Sequence, residues 1–207
     1  MKRSNQVVVI TGGIASGKST AGKILRENGY KVVESDIIVH QLYNKDSEIY
    51  EKLIKEFGEE IAGEKAINRK TLGKIVFKDK EKLRKLNDIV HKYVVEELIR
   101  KSIDSDYNIV FLDIPLMIEE REKLKDYGLF YDEIWLIKAK EEIRINRIRK
   151  RDNLSLRESK KIINNQMKDS EKEKYADRVI ENNGNTEELV RNINSILTNF
   201  KIEKDLE

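Results

Sequence analysis

Hydrophobic and polar positions follow two different periods along this chain. Five short runs are mostly apolar: Val7–Thr11, Lys31–Glu34, Ile109–Ile114, Glu133–Lys138 and Arg178–Ile180. Runs of this length predict strands. Most of the sequence between them repeats apolar residues three and four apart, the spacing of an amphipathic helix. Strands that alternate with helices predict a mostly parallel sheet with helices on both faces. Right-handed crossovers then bring the strands' carboxyl ends to one edge, where ligands bind in such sheets.

The second and third runs are separated by about 70 residues. Helical spacing dominates there, over Glu48–Phe57, Arg69–Val76 and Lys80–Ser102. That is too long for a simple crossover. It predicts an inserted helical subdomain over 37–104, with Gly58 and Gly63 flanking a polar turn. After the fourth run, Glu141–Arg151 and Ser155–Met167 predict a charged helical pair inside a segment spanning 139–170. Asp152 and Asn153 mark the break, and Ser155 with Glu158 fits a capping box. A last amphipathic helix runs from Glu187 to Phe200 with Thr186 as its cap. Leu189, Ile193, Ile196, Leu197 and Phe200 form its core face.

Composition narrows the class without naming a chemistry. The 207 residues suffice for one α/β core with a small insertion. Charged residues make up 38%, with 41 basic against 38 acidic, so the net charge is only +3. That balance gives no argument for a nucleic-acid partner, and Lys-rich faces read as solvated helix surface. The chain has no cysteine, which excludes disulfides and thiol catalysis. Met1–Gln6 leads directly into the first strand and reads as neither a signal peptide nor a membrane span. A cytoplasmic protein is the expectation.

The chemistry enters at Gly12-Gly13-Ile14-Ala15-Ser16-Gly17-Lys18-Ser19-Thr20, which fits the phosphate-loop pattern G-x-x-x-x-G-K-[ST]. A strand precedes it and a helix to about Asn28 follows, the context this motif requires. The glycines let the backbone turn its N–H groups inward around phosphate oxygens, and the helix start adds a positive dipole end. Lys18 can reach the β- and γ-phosphates of a nucleotide, and Ser19 can ligate Mg²⁺. The loop alone leaves a GTPase, an ATPase motor and a small-molecule kinase open. A GTPase needs D-x-x-G, and no glycine here has an aspartate three positions before it. Asn44-Lys45-Asp46 is one residue short of the N-K-x-D base-reading motif.

Asp36 follows the second strand. It can accept a proton from an attacking hydroxyl, help hold Mg²⁺, or cap a helix beginning at Ile37. Asp113 ends the third strand as either a Mg²⁺ support or a polar terminus, and Pro115, the only proline, follows it. Arg144, Arg147 and Arg151 share roughly one helical face, which is a solvated surface or a cationic lid. His40 lies one turn after Asp36, and His91 one turn after Asn87. No cluster has the spacing of a metal cage, so the metal expected is the Mg²⁺ carried by ATP.

Taken together, these residues resemble the dephospho-coenzyme A kinase family over nearly the whole chain. The matching pieces are Thr11–Thr20, Ser35-Asp36-Ile37-Ile38, Leu86-Asn87 with His91, and Leu112–Glu119. They continue with Arg147, Arg151-Asp152, Gln166, Lys172, Ala176-Asp177 and Asn182-Asn183-Gly184. Asp113-Ile114-Pro115-Leu116 and Asn182-Asn183-Gly184 are the narrower signals. The resemblance implies a P-loop NTPase fold: a five-stranded parallel sheet flanked by helices, with the 37–104 insertion binding the acceptor and 139–170 forming a helical lid. It implies transfer of the γ-phosphate of ATP to the ribose 3′-hydroxyl of dephospho-coenzyme A. By resemblance Asp36 is the catalytic base, Lys18 and Arg147 stabilise the phosphoryl charge, and Arg151 and Asn183 join Gly12–Thr20 around ATP. Acceptor contacts fall to Asp36, His40, His91, Ile114, Pro115 and Leu116, and Mg²⁺ contacts to Ser19, Asp36 and Asp113. The partners expected are the small-molecule acceptor alone, with no nucleic acid and no membrane, in a monomer or weak homo-oligomer. The alternatives are another small-molecule P-loop kinase acting on a nucleoside or nucleotide, and a nucleotide-binding protein without transfer activity. The chain departs from the family pattern at Ala15 in the loop, at Glu34 and Ser35 before Asp36, and at Lys92 after His91.

Overall fold

A computed structural model describes residues 5–103 and 106–205. Met1–Ser4 and Asp104, at which the expected insertion ends, lie outside the described residues. Five strands form one sheet: β1 (Gln6–Thr11), β2 (Lys31–Glu34), β3 (Ile109–Asp113), β4 (Glu133–Lys138) and β5 (Arg178–Glu181). Each lies within a residue of its apolar run. The order is β2-β3-β1-β4-β5, and β1 pairs in parallel with β3 on one side and β4 on the other. The connection from β1 runs to β2 on one side and the connection from β3 runs past β1 to β4 on the other, so a switch point opens at the carboxyl ends of β1 and β3. Register sets Ile10 beside Asp113 and Thr11 beside Leu136, so β1 and β3 end within a residue of each other at that edge and β4 runs on to Lys138.

The chain divides into two units. The sheet unit comprises the chain to Val33, Ser102–Arg121 and the chain from Phe130 onward. Val7–Ile10 are all fully buried, which is why β1 reads as a continuous apolar run instead of an alternating one. Val8, Ile10, Phe111, Trp135 and Ile180 pack with α1 (Lys18–Glu27) and α10 (Thr186–Asp205) into the main core. Tyr30, Phe111, Trp135 and Phe200 cross it as a chain of edge-to-face rings, with centroids 5.2–5.6 Å apart.

The helical unit comprises Glu34–Lys101 and Glu122–Leu129. It contains α2 (Ser35–Gln41), α3 (Tyr50–Phe57), α4 (Arg69–Val76) and most of α5 (Lys80–Ile103). A short helix without a periodic pattern, α6 (Arg121–Asp126), escapes sequence reading. From Glu122 to Leu129 the chain belongs to this unit: Lys123 pairs with Asp88 at 3.1 Å, and the Tyr127 hydroxyl donates to the same carboxylate at 3.2 Å. Helix α2 starts at Ser35, two residues before the expected Ile37. Glu34 takes the cap position, with no capping bond from its side chain to the helix, so Asp36 is not a cap.

Back in the sheet unit, the charged pair is α7 (Glu141–Asp152) and α8 (Leu156–Asn164), followed by the single turn α9 (Asp169–Lys172). Asn153 closes α7 in the left-handed region at φ 54°, which asparagine tolerates. Ser155 and Glu158 form the expected capping box. At α10 the cap is Asn185, whose amide oxygen accepts the Glu188 N–H at 2.9 Å; Thr186 is already helical.

Candidate active site

The phosphate loop leaves β1 at the switch point and runs into α1. Gly17 turns the chain with φ 99°, a left-handed conformation that favours glycine. The first helical bond runs from the Ala21 N–H to the Gly17 carbonyl at 3.0 Å. The N–H groups of Lys18, Ser19 and Thr20 therefore stand outside the helical ladder and are free to face an anion. No acidic residue sits in this first turn to compete. Ala15 also holds a positive φ, 57°. An alanine pays for that conformation where glycine would not, so its surroundings must impose it.

Those surroundings are α7 and the chain beyond α8. Ile14 and Ala15 pack against Ile145, Ile148 and Ile163. Arg144 is buried, donates from Nε to the Ile14 carbonyl at 2.8 Å, and pairs with Asp169 at 3.1 Å. It lies so close to Gly13 that a Cβ there would come within 2.5 Å of Nη2. Gln166 Oε1 accepts the Ile14 N–H at 2.8 Å. Arg147 donates to the carbonyls of Ala15 and Ser16, both at 3.2 Å, and to Asn182. Burial lowers the pKa of its guanidinium from the usual arginine value. The Asn182 amide completes the ring by donating to the Ser16 carbonyl at 2.8 Å.

Lys18 reaches Asp113, and the two form an ion pair at the end of β3. Asp113 is buried, and Ser19 is exposed in the first turn of α1. A hydroxyl and a carboxylate are hard oxygen donors and suit Mg²⁺, which keeps waters and phosphate oxygens as its other ligands. Among the described residues no group of three or more His, Cys, Asp or Glu side chains forms a metal cage.

The remaining predicted residues are more dispersed. Arg151 is exposed and forks onto its neighbour Asp152 at 2.8 Å. Asn183, expected beside ATP, accepts the Lys140 N–H at 2.8 Å at the start of α7, and its neighbour Asn182 makes the contact to the phosphate loop. Ile114 is buried, the Pro115 carbonyl accepts the Thr11 hydroxyl at 3.1 Å, and Leu116 is exposed beyond β3. In the helical unit, Asp36 and His40 are exposed one turn apart on α2, and His91 is half-buried midway along α5. Sequence reading missed roles for Arg144, Gln166, Asp169 and Asn182. Arg144 could have been found from its helical spacing to Arg147, and Asn182 from its motif. Gln166 and Asp169 leave no local signal, because their partners lie some 150 and 25 residues away.

Comparisons with known proteins agree with this geometry. A family model described as "Dephospho-CoA kinase" matches residues 6–188. A protein of Fusobacterium nucleatum named dephospho-CoA kinase is 39% identical, over 92% of this chain and 96% of its own length. A crystal structure from Thermus thermophilus superposes with a TM-score of 0.72 at 32% identity, covering 94% of this chain and 97% of that one. The dephospho-CoA kinase of Campylobacter jejuni superposes with a TM-score of 0.69 at 27% identity, covering 96% and 98%. With a match that runs from the first strand into the last helix, the chain belongs to the dephospho-coenzyme A kinase family.

Proposed function

We propose that this protein phosphorylates dephospho-coenzyme A at the expense of ATP, giving coenzyme A and ADP by transfer to the ribose 3′-hydroxyl. What carries the reading is an intact phosphate loop at the switch point of a chain that matches the family from residue 6 to residue 188. Lys18 exchanges Asp113 for the β- and γ-phosphates, and the open N–H groups of α1 take phosphate oxygens. Ser19 and the released Asp113 are the candidates to hold Mg²⁺, which when bound neutralises phosphate charge. Asp36 serves as the base that takes the hydroxyl proton and is a further candidate for Mg²⁺; both roles rest on its motif, and its exposure leaves the carboxylate available.

Arg147 acts on the charge of the transferred group. In the described conformation its donors are spent on the loop and Asn182, so that contact requires at least one of those bonds to be exchanged. Arg151 and Asn183 remain nucleotide contacts by resemblance, as do Ile114, Pro115, Leu116, His40 and His91 for the acceptor. The segment 139–170 is proposed to act as the lid and the helical insertion to bind the acceptor. The reading has the protein act in the cytoplasm on small molecules, as a monomer or weak homo-oligomer. Among the described residues no helix is long and apolar enough to cross a membrane.

The test is coupled ADP release with dephospho-coenzyme A against a panel of nucleosides and nucleotides. Turnover dependent on dephospho-coenzyme A supports the proposal. Equal turnover with a nucleoside would favour the wider kinase reading, and ATP consumption independent of any acceptor would overturn transfer.

A further inference from the structure

The backbone of Ile14 is held at both its N–H and its carbonyl by two side chains that also bond each other. Its N–H donates to Gln166 Oε1 at 2.8 Å, and its carbonyl accepts Arg144 Nε at 2.8 Å. The two side chains also bond each other, Arg144 Nη2 donating to Gln166 Oε1 at 3.0 Å. Asp169 takes the third corner of the guanidinium, accepting Nη1 at 3.1 and 3.2 Å. Both groups facing Gln166 are donors, so the orientation of its amide is set by them. Arg144 is 4% exposed and Gln166 and Asp169 are half-buried, which makes the arrangement an interior network and not a surface pairing. The next residue along is Ala15, the non-glycine held at φ 57° within the loop.

We infer that Gln166 and Arg144 are positioning residues for phosphoryl transfer: by clamping the Ile14 backbone they hold Ala15 left-handed and keep the phosphate loop in its binding shape. The inference rests on the nucleotide reading of the loop. Three features support it. The clamp acts on the backbone, so it sets loop geometry whatever side chain stands at position 14. A flat guanidinium against Gly13 leaves no room for a side chain there, which links the glycine of the motif to α7. Gln166 and Asp169 belong to the segment between α8 and the end of α9, so ordering of that segment and of the loop are one event. By linkage, a nucleotide that prefers the ordered loop must also favour the ordered segment.

The test compares Gln166→Met, which keeps the length and removes the acceptor, with Gln166→Glu, which keeps the acceptor facing Arg144. The readouts are calorimetric affinity for MgADP, KM for ATP and for dephospho-coenzyme A, and melting temperature. Gln166→Met should weaken ADP binding and raise the KM for ATP by about tenfold, as expected when a half-buried N–H loses its partner. The KM for the acceptor should stay within twofold, and Gln166→Glu should recover most of the ADP affinity. Equal behaviour of the two variants, or a lower melting temperature with unchanged ADP affinity, overturns the inference. If wild type itself fails to bind ADP, the nucleotide reading falls first, which separates the two failures. Hydrogen exchange of the unaltered protein gives a check that needs no variant. ADP should slow exchange in the loop and in residues 166–172 together, and protection of the loop alone overturns the coupling.

Discussion

Lys18→Ala tests the loop and the core behind it in one substitution. Lys18 and Asp113 form an ion pair whose side chains are 14% and 5% exposed. An exposed pair contributes up to about 1 kcal/mol, whereas removing one partner of a fully buried pair costs about 3–5 kcal/mol. Here the carboxylate is buried and the ammonium nearly so, which places the cost of deleting Lys18 at about 2–3 kcal/mol. For a chain of 207 residues each kcal/mol moves the melting temperature by roughly 2–4 °C, so Lys18→Ala should melt about 4–12 °C lower. Asp113→Asn removes the stranded charge, so the double variant should lose about 1–2 kcal/mol less than the sum of the single losses. Turnover of Lys18→Ala should fall at least about a hundredfold, because one focused electrostatic group is lost where phosphoryl charge develops. Thermal melts and urea titrations of the four proteins, beside coupled ADP release, supply the numbers. Strictly additive losses would refute the ion pair as a stabilising unit, and near-normal turnover would refute the loop assignment itself.

Three further outcomes follow from the same structure. Asp36→Asn should cut transfer by about a hundredfold to ten-thousandfold, the range for a positioned base, with a melting shift near zero because the residue is exposed and caps nothing; more than half the activity remaining would assign the base elsewhere. Arg144→Ala should destabilise by about 3 kcal/mol, since it strands the Asp169 carboxylate and takes the donor from the half-buried Ile14 carbonyl and Gln166, and by more than Arg147→Ala, as read from urea midpoints. Equal midpoints would show that the Arg144 network contributes nothing special. Ala15→Gly should raise the melting temperature by a few degrees at most, because relief of a left-handed alanine, about 1–2 kcal/mol, outweighs the added freedom of the unfolded chain, about 0.4–1 kcal/mol; a lower melting temperature would refute the strain.

Much of the fold was legible because its signals are local. The five apolar runs mark the strands to within a residue; β1, β3 and β4 are buried almost throughout, and a strand buried on both faces must be apolar. The phosphate loop, the capping box at Ser155 and the break at Asn153 are each written in a few consecutive residues, where the backbone's own hydrogen-bonding needs select the side chains. Sequence reading is least sharp where two neighbours could take one task. Asn185 takes the cap expected of Thr186, and of the adjacent Asn182 and Asn183 it is Asn182 that bonds the phosphate loop. Each pair differs by a single position, and only the direction of the chain at that point decides which side chain reaches.

What only the tertiary structure decided is the support of the site. Lys18 meets Asp113 because β1 and β3 are neighbours in register, a pairing that joins residues 95 positions apart. Arg144 reads from its helix as one cation among several, yet it is buried against Ile14, Gln166 and Asp169, whereas Arg151, on the same helix, turns outward to Asp152. The helical repeat sets which residues share a face but not what that face meets. The sequence by itself determined the elements, the phosphate loop and the family, because those depend on interactions within a turn or a strand. Which side chains hold the loop in shape was decided by packing between elements distant in the chain, and no local pattern encodes that.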